Sequence, residues 1–324
     1  MKLICRSILL GFFLVGTLAC SESEQQPDPD FIPKNIHRSF LKVNSPIVFI
    51  DEAHNNLHQI SGRFKPFSQV LISDGYTVKS SKEKFTLEYL RQADILVIVN
   101  ALDKKRQDYN PPYGEAFEIE EIEAVKQWVS QGGSLFLVAD HAPFPKVIDK
   151  LAIAFGFEFT NGHVDDAIFN IDNNGLLEHA ITKESTDPKN YALFGVTATP
   201  MMSGIVNNTP HSQTITQVKS FGGAAFQIPE NAKSILLLGK GAVSIVPSIP
   251  FQVNAKTPRI SVDGWSQGAV LEIGKGRVAV FSEAMMFTSQ VYSQTGKKMG
   301  LVSDGAEQNE QFLLNIMHWL SGLI

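Results

Sequence analysis

From residue 46 onward, short unbroken apolar runs alternate with segments whose apolar residues fall on one side of a helix. Ile47–Ile50 reads as a strand bounded by Pro46 and Asp51. Pro66 opens a helix with Phe67, Val70 and Leu71 on one face, and Gly75 closes it. Tyr76–Val78 predicts a second strand, 86–90 a helical turn, and Asp94–Val99 a strand buried on both faces. A polar loop at 103–114 holds Pro111-Pro112. Ile119, Ile122, Val125 and Val129 then form the clearest helical stripe, stopped at Gly132-Gly133. Ser134–Ala139 is another buried strand, and 144–155 reads as one helix closed by Gly156.

The second half has a different rhythm. Residues 165–214 are polar and turn-rich, with Asn173-Asn174-Gly175 as a turn. Between 215 and 281 come β-type runs, I-T-Q-V, S-I-L-L-L, A-V-L-E-I and R-V-A-V-F, the last two joined by a hairpin at Gly274-Lys275-Gly276. A strong helix over Glu307–Leu320 ends the chain. Repeated strand–helix alternation with apolar strands predicts an α/β fold, a parallel sheet flanked by helices, followed by a β-rich second half. No repeat and no internal linker divides 46–324, which reads as a single domain.

Composition narrows the classes. The chain has 324 residues, 44% hydrophobic and 19% charged, with net charge −5. That is too apolar for disorder and too acidic for a dedicated nucleic-acid binder. Its one long apolar run, Ile8–Leu18, follows Lys2 and Arg6 and ends in Thr17-Leu18-Ala19-Cys20, the pattern of an export signal with a lipidated cysteine. The expected organisation is a signal peptide at 1–19, a flexible tether at 20–45 and the domain at 46–324. Cleavage would remove Lys2 and Arg6, taking the net charge from −5 to −7, and would leave Cys20 as the only cysteine. The domain then has no intrachain disulfide and stands on its core alone. Ser21 and the acids after it resemble lipoproteins of the outer membrane or cell surface, so the expected location is extracytoplasmic, with the membrane as partner through Cys20.

Strand ends are where an open parallel sheet binds ligands. The first strand runs into Asp51-Glu52-Ala53-His54, the third into Asn100, the fourth into Asp140-His141, and the late strand at 278–281 into Ser282-Glu283. Asp51, Glu52, His54, Asp140, His141 and Glu283 are therefore the candidate pocket. Carboxylates and imidazoles gathered at one rim suit acid–base chemistry or a divalent metal, though nothing in the spacing requires a metal. The same residues also serve simply to satisfy loop backbone.

Other motifs carry less. His54 and His58 stand four apart, but without H-E-x-x-H, and with Gly62 and Pro66 close by, they read as solvated loop histidines. D-E-A-H has no phosphate-binding loop anywhere to accompany it. Gly264-Trp265-Ser266-Gln267-Gly268 matches G-x-S-x-G, but a β run follows where a nucleophile elbow needs a helix. Asn170-x-Asp172-x-Asn174-Gly175 lacks two ligands of a calcium loop and reads as a turn. His163, Asp165 and Asp166 either fold over the site or sit in solvent. His179 and His318 read as structural, and Trp128 and Trp319 as core.

Four segments, I-V-F-I-D-E-A-H-N-N, A-D-I-L-V-I, W-V-S-Q-G-G-S-L-F-L-V-A-D-H and G-K-G-R-V-A-V-F-S-E, together resemble the class I glutamine amidotransferase-like (GATase-like) superfamily, and within it the DUF4350-type and GIFT-type members. The resemblance covers about residues 46–320. It implies a flavodoxin-like α/β sandwich, and for GIFT-type relatives a binding role. Amidotransferase chemistry needs a cysteine nucleophile, and the body of the chain has none. The expected function is a lipid-anchored extracytoplasmic protein with an Asp/Glu/His pocket, acting as a hydrolase on a small-molecule or glycan-related substrate. The alternative is a non-catalytic ligand-binding or scaffolding module.

Overall fold

The computed structural model describes residues 25–184 and 212–324. The expected signal peptide and Cys20 lie outside the described residues, as does 185–211 of the polar stretch.

In chain order the elements begin with strand β1 (Gln25–Pro27), β2 (Ile47–Asp51), helix α1 (Lys65–Asp74), β3 (Thr77–Ser81), α2 (Leu87–Leu90), β4 (Ile95–Val99), α3 (Ile119–Ser130) and β5 (Ser134–Val138). Next come α4 (Phe144–Val147), α5 (Asp149–Ala154), β6 (Glu158–Phe159), β7 (Ala167–Asn170), β8 (Gln217–Ser220), β9 (Phe226–Gln227), β10 (Lys233–Leu237), β11 (Val243–Ile245) and β12 (Arg259–Ser261). The chain closes with β13 (Ser266–Ile273), β14 (Gly276–Phe281), β15 (Ser289–Tyr292), β16 (Lys298–Gly300) and α6 (Asn309–Leu320).

The local signals act as expected at most boundaries. Gly75 caps α1 at φ 101°, where a side chain would drive into the Phe40 carbonyl. Thr86 accepts from the Tyr89 N–H at the start of α2. Glu118 and Glu121 form a capping box at α3, whose buried face is Ile122, Val125, Trp128 and Val129, while Ile119 stays outside. The stretch read as one helix over 144–155 is two, α4 and α5, because the chain leaves helical geometry at Ile148 (φ −107°, ψ 7°).

The main sheet runs β3-β2-β4-β5-β14-β13-β9-β6, with β10 also paired to β13. Strands β3, β2, β4, β5 and β14 are mutually parallel, and β13 turns back on β14 through the Gly274-Lys275 hairpin. Counting only the parallel strands, the order is 2-1-3-4-5, the flavodoxin-like arrangement. The fifth parallel strand comes from the β-rich second half. Helices α1 and α6 cover one face, over Ile50, Val97, Val138 and Phe281. Helices α2 to α5 cover the other, over Phe49, Leu96, Leu137 and Val280. Because side chains alternate along a strand, this parity also decides which layer each strand-end residue enters.

The segment expected to be a tether differs from residue 25 on. β1 pairs with β15, and Phe31 and Phe40 are buried in the core on the α1/α6 side. The polar, proline-broken composition of 21–30 masks two large apolar anchors just beyond it.

Candidate functional site

All five parallel strands end at one rim, so Asp51, Asn100, Asp140 and Glu283 do emerge on the same edge. They do not form one pocket. Asp51 continues the Phe49 side of β2 and enters the α2–α5 layer, whereas Asp140 and Glu283 continue the Val138 and Phe281 side and enter the other.

On the first side, His54 is held between two carboxylates. Its Nδ1 lies 2.9 and 3.0 Å from the Asp51 oxygens, and its Nε2 lies 3.0 Å from Glu121 Oε1. Asn56 Nδ2 donates to Asp51 at 3.0 Å, and the Phe85 and Glu118 N–H groups donate to Glu121. Phe85 and Phe117, stacked on each other at 5.8 Å, both pack against the ring, with centroids at 4.7 and 4.6 Å. Burial works against a charged imidazole, but Asp51 and Glu121 outweigh it and raise the His54 pKa. Burial likewise opposes ionisation of Glu121, and its backbone donors and His54 lower its pKa regardless. Every polar atom of this cluster has a partner and little of it reaches solvent, so it ties the 52–64 loop to α3. Glu52 is also engaged, accepting from the Ile60 N–H at 2.8 Å and from Ser80 Oγ at 2.5 Å.

His58 is not the solvated loop residue its spacing suggested. It is buried against Phe64, and Asn100 Nδ2 lies 3.2 Å from its Nδ1. Burial, with Arg63 and His141 near it, pushes its pKa down to about 3, so the ring is neutral. The crevice between β2 and β4, where the strand order reverses and ligands usually enter, is thus filled by the protein's own Asn56 and His58. The open space lies two strands further along, above β5 and β14.

There Asn100 pairs with Asp140 both ways, Nδ2 donating to Asp140 Oδ2 at 2.8 Å and Oδ1 accepting from the Asp140 N–H at 2.9 Å. Asn100 adopts φ 49°, a left-handed backbone that asparagine tolerates and that turns its amide onto the rim. The Ala284 N–H donates to Asp140 Oδ1 at 2.6 Å. Burial raises the Asp140 pKa against the pull of His141, Asn100 and Arg63. Glu283 is buried and accepts from the N–H groups of Met285, Met286 and Phe221. Burial, reinforced by the Asp140 charge, pushes its pKa up to about 8. Burial holds both carboxyls of the pair above their ordinary range, and Glu283, pushed further by Asp140, is the one that keeps its proton near neutrality.

His141 stands at the mouth of this arrangement. Its Nδ1 lies 2.8 Å from the Ala142 carbonyl, which fixes the proton on Nδ1 in the neutral ring. Nε2 has no hydrogen-bond partner among the described residues. The ring forms one wall of a cleft of about 280 Å³ whose other walls include His163, Asp165, Asp166, Phe221 and Phe251. So His163 and the two aspartates fold over the site. His163 is tethered there by a two-way backbone bridge to Ile245, at 2.9 and 2.8 Å. Burial and the nearby His141 lower its pKa. Gly223 (φ 89°) lines the floor, where a Cβ would strike the Ser282 carbonyl at 2.0 Å. Phe251 is 69% exposed, at φ 66°, with its ring edge-to-face on His141 at 4.9 Å. A left-handed backbone is unfavourable for phenylalanine, so the loop holds this ring over the cleft against local strain. Arg63 and Tyr109 lie within charge range of Asp140.

Sequence reasoning missed Arg63, Tyr109 and Phe251. They come from loops, where periodicity is silent. The remaining motifs hold no site. Ser266 opens β13, with its hydroxyl 2.8 Å from Ser234 Oγ. The 170–175 segment is a turn built on Asn173. His318 Nε2 makes a buried hydrogen bond with Asp74 Oδ2 at 2.7 Å. Trp128 and Trp319 are buried. A larger concavity, about 480 Å³, lies at the opposite edge of the sheet, where Lys233 and Arg277 face Glu272 and none of the rim residues reaches. Among the described residues, no three His, Cys, Asp or Glu side chains are arranged to hold a metal ion, and no helix is long and apolar enough to cross a membrane.

No protein-family profile matches the chain, and no curated protein matches it. Solved structures do. The chain is similar to the "mmIFT52 N-terminal domain", with TM-score 0.54 and 14% identity over 85% of this chain and 97% of that one. A ThuA-like protein from Bacteroides uniformis gives TM-score 0.42 and 11% identity over 86% and 91%. A GMP synthase-like protein from Thermoplasma acidophilum gives 0.41 and 8% over 84% and 92%. At such identities the likeness is one of fold, a mixed α/β sandwich.

Proposed function

We propose that this chain is a lipid-anchored extracytoplasmic hydrolase, a DUF4350-type member of the GATase-like superfamily, and that its reaction takes place in the His141 cleft. The observation that carries the reading is the state of His141: one ring nitrogen locked by the Ala142 carbonyl, the other free at the wall of a concave site, with the Asp140 carboxyl in the preceding residue. That is the arrangement of a general base. Nε2 takes a proton from water, and Asp140 stabilises the imidazolium that results. Glu283, holding its own proton, spares Asp140 a second buried negative charge.

For the substrate, the cleft pairs a ring face with acceptors. Phe251 and Phe221 present apolar surface, while Asp165, Asp166 and His163 offer partners to hydroxyl groups. A sugar ring has both features, which favours a glycan-related substrate over an anionic one that two aspartates would repel. The location rests on the 1–20 segment, whose charged start, apolar middle and Ala19-Cys20 ending suit export and lipidation. A hydrolase panel of chromogenic glycosides and esters, run on wild type, His141→Gln and Asp140→Asn, tests the reading. Activity lost in both variants with folding intact supports it. Activity unchanged by both contradicts it.

One observation favours a non-catalytic binding module instead: Asp51, Glu52, Asp140 and Glu283 all accept hydrogen bonds from their own chain. Saturable glycan binding to both wild type and His141→Gln, with no turnover by either, would select that second reading.

A further inference from the structure

The four most exposed large apolar side chains among the described residues fall within twelve positions of one another. Ile32, Ile36, Leu41 and Val43 are 81%, 85%, 70% and 84% exposed. They belong to a strap, 31–43, that crosses the outside of the α1/α6 layer. The strap is fixed from beneath. Phe31 and Phe40 are buried in the core, the Asn35 N–H donates to Glu310 at 2.9 Å, and the Ser39 and Phe40 N–H groups donate to the Asp74 carbonyl. With its inward positions committed to packing, the remaining aliphatic side chains project outward. Ile72, 51% exposed near the end of α1, adjoins them, since Asn35 bonds its neighbour Ser73.

Charge follows the same pattern. Lys34, His37, Arg38 and Lys42 are exposed along the strap, and no acid occurs between Asp30 and Asp51, although the chain as a whole is acidic. Alternating aliphatic and basic side chains is the chemistry of the bilayer interface, where apolar groups enter the acyl boundary and cations meet anionic headgroups. The strap is also close to the expected anchor. Cys20 precedes Gln25, the first residue of β1, by five positions, so a lipid on it stays within about 17 Å of β1.

We propose that the strap is a second membrane contact, resting on a bilayer that carries anionic headgroups, with Ile32, Ile36, Leu41 and Val43 inserted and Lys34, Arg38 and Lys42 at the phosphates. The inference builds on the lipid-anchor reading, since a tethered domain reaches such a surface at high effective concentration.

The test uses the full chain with vesicles of phosphatidylcholine, alone or mixed with phosphatidylglycerol, whose acyl chains are brominated. In Ile36→Trp, fluorescence beyond the wild-type background is quenched at least about threefold more than in Ile153→Trp, whose exposed position lies on α5 in the opposite layer. Quenching weakens without phosphatidylglycerol, and weakens again when Lys34→Glu, Arg38→Glu and Lys42→Glu are added. Equal quenching at the two positions overturns the proposal. So does shielding of residue 36 that needs no lipid and grows with protein concentration, which would make the strap a protein-binding face. The mass of the Cys20 peptide is measured in parallel: a missing acyl group refutes the anchor reading, while the quenching ratio still decides the strap.

Discussion

Two strand ends of this molecule carry nearly the same letters, D-E-A-H at 51–54 and A-D-H at 139–141, and the fold treats them in opposite ways. At the first, the acid and the imidazole enter the α2–α5 layer, meet Glu121, and are closed over by Phe85 and Phe117. Every polar atom is satisfied and no ligand is admitted. At the second, the acid enters the other layer and the imidazole is left at a cleft wall with one nitrogen unengaged. An acid beside a histidine at a parallel strand's carboxyl end is therefore insufficient evidence for a site. What separates the two cases is the pleat parity of the acid and whether a helix supplies a second carboxylate to complete the imidazole's bonding.

That contrast breaks most sharply under paired substitution. His54→Ala leaves Asp51 and Glu121 as buried carboxylates without their shared cation, and denaturant unfolding is expected to show a loss of about 3–5 kcal/mol. His141→Ala removes a half-buried ring with one backbone partner, and its stability should stay within about 1 kcal/mol of wild type. Hydrolytic turnover, by contrast, should fall about 10²–10⁴-fold in His141→Ala. Equal destabilisation by the two changes would erase the distinction.

The pH dependence of stability sharpens it further. His54 titrates above its ordinary value in the folded state, so its contribution is complete below about pH 6.5 and is lost as pH rises through the raised pKa. Glu121 titrates below its ordinary value, so its contribution is present above about pH 4.5 and is lost as pH falls through the lowered one. Urea midpoints measured across this range should decline on the alkaline side in wild type, and that particular decline should be absent in His54→Gln.

A smaller effect is expected at Phe251. Replacing it with glycine relieves the left-handed backbone and should raise stability by about 1 kcal/mol in thermal or urea unfolding. It also removes the ring over the cleft, so glycan binding or KM should worsen severalfold. A Phe251→Gly chain that gains stability and keeps its affinity would show that the strained ring has no part in recognition.

Much of the fold was legible in the sequence because it rests on local periodicity. The apolar runs at 47–50, 94–99 and 134–139 mark buried strands, and Gly75 and Gly132-Gly133 mark helix ends by a conformation few other residues accept. The rim was legible for the same reason, since parallel strands share a direction. The split of the rim into a sealed and an open half could have been read from parity: Asp51 is two residues from Phe49, and Asp140 is two from Val138. Yet parity assigns a face only after the layers are known, and those depend on α3 and α6 packing on opposite sides. Arg63, Tyr109 and Phe251 carry no periodic signal, because loop side chains are placed by long-range packing. Phe31 and Phe40 were hidden by their polar surroundings and emerge only when β1 pairs with a strand more than 260 residues away.

The central claim is that His141 is chemically free while His54 is not, and it can be tested without knowing the substrate. Native protein is treated briefly with diethyl pyrocarbonate, which acylates unprotonated, accessible imidazole nitrogen, and each histidine's modification is followed by peptide mass. The account predicts rapid modification of His141 and none of His54 until the protein is unfolded. Modification of His54 at a rate comparable to His141, or protection of His141 in the native state, would contradict it.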